Sequence, residues 1–98
     1  MGISLHAAAM MIESRLPHAS LDDPQSLYDL GIAFSTGSGG ADVDLVAAHK
    51  WFNLASVAGD ERAQECRAEI AEEMTAREIV EAQKQARAWL QLSQRRAA

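Results

Sequence analysis

The sequence predicts an all-α fold, and three observations carry that reading. Apolar residues recur at helical spacing in successive segments. Each segment is bracketed by residues that start or stop helices, and no stretch alternates with period two over a useful length. The 98 residues suffice for one domain, and 48% hydrophobic with 23% charged residues is an ordinary globular composition.

The first candidate helix covers residues 3–16, with Leu5, Ala9, Ile12 and Leu16 at helical spacing and Pro17 ending it. Residues 17–23 read as a linker, so residues 1–18 form an apolar arm or cap ahead of the main unit at 19–94. A short tail, residues 95–98, follows. Asp23-Pro24 opens the next helix, since Asp caps free amides and Pro suits the first helical position. That helix carries Leu27, Leu30, Gly31 and Phe34 on one face. A mid-helix glycine costs roughly 1 kcal/mol against alanine, so Gly31 predicts close approach of a neighbouring helix. The run Thr36-Gly37-Ser38-Gly39-Gly40 ends it.

Asp42 or Asp44 caps a second helix running to about Ala58. Its two apolar stripes, Leu45-Ala48-Phe52-Ala55 and Ala47-Trp51-Leu54-Ala58, predict a helix sandwiched between others, with His49, Asn53 and Ser56 on the remaining face. Gly59 stops it and Asp60 caps a third helix with Ala63, Cys66, Ile70 and Met74 on one stripe. Thr75-Ala76-Arg77-Glu78 is a capping-box pattern that restarts the chain. The last helix then places Ile79, Ala82, Ala86, Trp89 and Leu90 on one face, to about Ser93.

Residues 26–63 resemble a single Sel-one-like repeat, a cousin of the tetratricopeptide repeat. The matching residues are Leu30-Gly31, Phe34, Gly37, Gly39, the Asp42/Asp44 region, Ala47-Ala48, Trp51-Phe52, Ala55, Gly59 and Ala63. Ser26 stands where the family commonly has Ala, and the loop at 39–44 is longer than the usual form. After Ala63 the match fades, with Arg67 where a second copy would want Leu. The Met74-Thr75 junction with Ile79 and Trp89 looks like the closing segment of bacterial members. The resemblance implies an α/α helical hairpin repeat with terminal capping helices, and a binding surface on the first helix of each pair. Members act as adaptors and scaffolds. Physically, one repeat cannot bury both its sides, so caps are required.

Candidate binding residues follow from that frame. Gln25, Asp29, Ile32 and Thr36 lie opposite the buried face of the first repeat helix. Ile32 is an apolar side chain predicted to face outward, toward either a partner or the N-terminal arm. Glu61, Glu65 and Glu69, with Glu72, share one face of the third helix. Like charges four apart are mildly destabilising, and their repetition points to a basic partner, although such faces are commonly just solvated. Arg77, Lys84 and Arg87 on the last helix carry the opposite sign and permit head-to-tail association of copies.

Several functions are disfavoured. A net charge of −5 speaks against nucleic acid, which is held by clustered Lys and Arg. No apolar run approaches the ~20 residues of a membrane span, the N-terminus lacks a basic secretory start, and His6 defeats a myristoylation motif at Gly2. The single cysteine, Cys66, allows no disulfide framework, and His6, His18 and His49 lack metal spacing. The Gly37–Gly40 run follows a helix and lacks the Lys-Ser/Thr of a phosphate loop. The expectation is a non-catalytic, cytoplasmic protein without cofactor or metal. Its partner is another protein contributing a peptide or helix, and the acidic face of the third helix points to a basic one. A self-assembling subunit, joined through repeat ends and the N-terminal arm, is the rival reading.

Overall fold

The computed structural model describes residues 19–97, and the helix expected at 3–16 lies outside them. Four α-helices run α1 Pro24–Thr36, α2 Leu45–Val57, α3 Glu61–Ala71 and α4 Ala76–Ala97, with a short 3-10 turn at Ser38–Gly40. No strand occurs among the described residues. The chain is all-α.

Each helix starts where its capping residue predicts. The Asp23 carboxylate accepts from the Ser26 N–H at 3.1 Å, and Pro24 follows at the first position. Of the two candidates in the loop, Asp44 is the cap, accepting from the Ala47 N–H at 3.1 Å. Asp60 accepts from the Arg62 and Ala63 N–H groups. The capping box closes reciprocally: Thr75 N–H donates to Glu78 at 2.9 Å and Glu78 N–H to the Thr75 hydroxyl at 3.1 Å. Gly37, at φ 76°, takes the left-handed conformation that ends α1, and its N–H bonds to the Ala33 carbonyl at 2.9 Å. The long loop is then stitched back by the Asp44 N–H, which donates to the Phe34 carbonyl at 2.9 Å.

The buried core gathers Leu27, Leu30, Ala48, Trp51, Phe52, Leu54, Ala55, Ala63 and Ala86. Burying a large apolar side chain contributes about 1.5–3 kcal/mol, and α2 supplies five of these nine residues. It sits against α1, α3 and α4, as its two apolar stripes predict, and α3 also approaches α1. Gly31 has the predicted neighbour. A Cβ built there would lie 2.5 Å from Cε1 of Phe52 and 2.9 Å from its Cγ, so the ring packs directly on the α1 backbone. Trp51 is buried and meets Trp89 of α4 edge-on, their rings 5.9 Å apart.

Two details differ from the sequence-based expectation. Helix α4 continues past Ser93 to Ala97, so residues 95–97 prolong a helix instead of forming a separate tail. His49 lies within the fold and not on an open polar face, with its side chain 0% exposed. The cause is α3, which covers the third side of α2. The Ser56 hydroxyl reaches Gln64 of α3 at 3.2 Å on this same side.

Candidate partner-binding surface

The first-helix residues singled out from the sequence do not form one uniform surface. Gln25, Asp29 and Thr36 are exposed, whereas Ile32 is half-buried and packs against the core. The outward reading of Ile32 is therefore corrected. Ile32 projects well round the helix from Leu27 and Leu30, and it is nonetheless packed against the core at its margin. Thr36 donates to the Ile32 carbonyl at 2.8 Å, and its hydroxyl oxygen pairs with the Ser38 hydroxyl at 3.0 Å, which ties it into the end of α1.

Gln25 and Asp29 join a polar chain that the sequence did not announce. The Arg62 guanidinium donates to Gln25 at 2.9 Å, and the Gln25 amide donates to Asp29 at 2.9 Å. Arg62 also bonds Asp60 through two nitrogens, at 3.2 and 2.7 Å, and lies 4.1 Å over the Tyr28 ring. The start of α3 is thereby tied to the start of α1. Arg62 was overlooked because its role needs residues 37 positions apart to meet. Its only local signal is the Asp two residues before it.

The electrostatics follow from these bonds. The hydrogen bond from Arg62 holds the Asp60 carboxyl below the usual range, and Asp60 in turn holds the guanidinium charged. Asp60 is the sequestered member: its side chain is 7% exposed against 55% for Arg62. Burial, and then the interaction with Cys66 at 3.9 Å, push the Tyr28 hydroxyl up. Asp60→Ala removes both the α3 cap and the anchor of Arg62. The expected loss is about 1–2 kcal/mol in urea unfolding, while Asp60→Asn, which keeps a capping oxygen, is expected to lose less than half of that.

Glu61, Glu65 and Glu69 are all exposed, as is Glu72. Arg62–Asp60 is the one ion pair among the described residues, so these glutamates face water. Glu61 shares with Gln25, Asp60 and Arg62 the wall of an open cleft of about 500 Å³ at the joined starts of α1 and α3. On α4, Arg77, Lys84 and Arg87 are exposed on the side away from Ala82 and Ala86. Cys66 is half-buried beside Tyr28. Among the described residues no group of three His, Cys, Asp or Glu side chains is placed to hold a metal, and no helix is long and apolar enough to cross a membrane.

No family model matches this chain, and comparison with curated proteins and with solved structures gives no match.

Proposed function

We propose that the protein is a non-catalytic adaptor or scaffold module of the helical-repeat kind, taking a peptide or helix of a basic partner protein on the joined faces of α1 and α3. The observation that carries this reading is the Arg62–Gln25–Asp29 chain. It ties the start of α3 to the start of α1, and Glu61, Glu65 and Glu69 of α3 are left in water. A Sel-one-like repeat would present its groove on these same helices. Exposed carboxylates spaced one turn apart suit the spacing of Lys and Arg on a partner helix, and steer its approach more than they tighten the complex.

The test is a crosslinkable side chain at Ala68, an exposed position of α3, in the native extract, compared with the same probe in a Glu61→Lys/Glu65→Lys/Glu69→Lys variant and in an Asp29→Arg variant. Both variants alter exposed positions and should unfold at nearly the wild-type temperature. Loss of the captured protein by at least tenfold in both is expected. Retention in both would overturn this surface and place the captured partner elsewhere on the protein.

A second reading, self-assembly, draws support from the opposite charges of the outward faces of α3 and α4. It predicts a salt-sensitive increase in solution mass that disappears in the triple Glu→Lys variant. Adding Arg77→Glu, Lys84→Glu and Arg87→Glu to that chain exchanges the two faces at unchanged net charge, and self-association should return. A monomer at low salt and high concentration would eliminate it.

A further inference from the structure

His49 is the anomaly of this molecule. Its side chain is wholly buried, yet neither Nδ1 nor Nε2 has a hydrogen-bond partner. Buried polar atoms are nearly always paired, and each exception requires a physical account. The ring lies on the side of α2 that α3 covers, where the half-buried Arg67 of α3 is the charged group whose field reaches it. The other charged candidates are engaged elsewhere. On α2 itself, Lys50 lies 4.5 Å over the Trp51 ring. On α1, Asp29 accepts from Gln25. On α4, Glu78 caps Thr75 and Glu81 accepts from Gln85. The α3 carboxylates Glu65, Glu69 and Glu72 are exposed on the outer side of their helix. Among the described residues, therefore, no carboxylate stands ready to receive an imidazolium.

We infer that His49 is a proton-operated latch between α2 and α3, closed while the imidazole is neutral and released when it takes up a proton. A protonated ring would be a buried cation with two unanswered N–H donors, within the field of the Arg67 guanidinium. Burying such a charge is far costlier than exposing it. Moving α3 away relieves both problems at once, because it admits water and removes Arg67. The Arg62 tie between the starts of α3 and α1 comes apart in the same movement, so mild acid dismantles the candidate surface. The latch stands on the packing alone, whether or not that surface binds a partner.

The direction of the pH effect follows from proton linkage. Burial first, and Arg67 second, hold the folded imidazole below its ordinary value of 6.5. The unfolded or opened chain therefore binds more protons below that value, and stability rises with pH. The stabilisation is complete above about pH 6.5 and drains away as pH falls, by up to tenfold in the folding constant per pH unit.

The experiment uses the full chain and reads the His49 ring resonances by NMR, alongside urea unfolding, between about pH 7.5 and pH 5. The expected result is a His49 titration point well below 6.5. Acid should also accelerate amide exchange in α3 before α1, after correction for intrinsic rates. Arg67→Gln should raise the titration point, which loss of a purely structural contact would not do. His49→Leu should equal or exceed the wild type in stability at pH 7.5 and lose the part of the acid slope that His49 contributes. If His49→Leu fails to fold, the wild-type and Arg67→Gln titrations still decide the matter. Ordinary titration of His49 near 6.5, or a titration point unmoved by Arg67→Gln, would overturn the proposal.

Discussion

Phe52→Ala is expected to cost about 3–5 kcal/mol of unfolding free energy, the loss typical of a truncated buried aromatic. The ring is 1% exposed, packs on bare backbone at Gly31, and lies 5.7 Å from the Tyr28 ring in a tilted pair. Its removal leaves a cavity between α1 and α2 that neither helix can fill without moving. The complementary change is Gly31→Ala. On an open helix surface it would stabilise by roughly 1 kcal/mol, whereas here the new methyl meets the Phe52 ring. Overpacking of this kind costs about 1–3 kcal/mol, so the net expectation is destabilisation by about 1 kcal/mol. The pair must couple: Gly31→Ala should be tolerated better in a Phe52→Leu background, with an interaction energy above about 0.5 kcal/mol. Urea titrations of the four chains measure it. Stabilisation by Gly31→Ala in the wild type would mean that the ring does not sit on that backbone.

Ending the chain at Thr75, which removes α4, should abolish cooperative unfolding. Helix α4 brings Ala82 and Ala86, both buried, together with Trp89 against the otherwise bare side of α2. Without them Trp51, now 3% exposed, would face water along with the neighbouring alanines. A milder version is Trp89→Ala, expected to cost about 2 kcal/mol because Trp89 is half-buried and its edge-on contact adds a modest term. Circular dichroism across a urea series reports the transition. Tryptophan emission reports whether Trp51 becomes wet. A truncated chain with an unchanged sigmoidal transition would show that α4 is an appendage and not part of the core.

Most of the framework was legible because its determinants are local. Asp23-Pro24, Asp60 and the Thr75–Glu78 box each act within three residues, so their spacing already specifies the bonds they make. The two apolar stripes of α2 required cover on two sides, and Gly31 required a close neighbour. Both needs are met by side chains on other helices. The surface was less legible. Ile32 was read by periodicity alone, which assigns an angle on a helix but not how far neighbouring elements reach around it. Arg62 drew no notice because its partners, Gln25 and the Tyr28 ring, come from a helix more than thirty positions earlier.

By itself, then, the sequence determined the all-α class, the helix starts, the sandwiched α2 and the exposed charges of α3 and α4. Each depends on periodicity or on capping groups a few bonds apart. Tertiary structure alone decided which polar residues lie inside. His49, on the nominally polar side of α2, is buried, and the docking of α3 brings it within the field of Arg67. Burial is a property of what packs over a residue, and a linear pattern carries no record of the distance to a helix that the chain has not yet folded back.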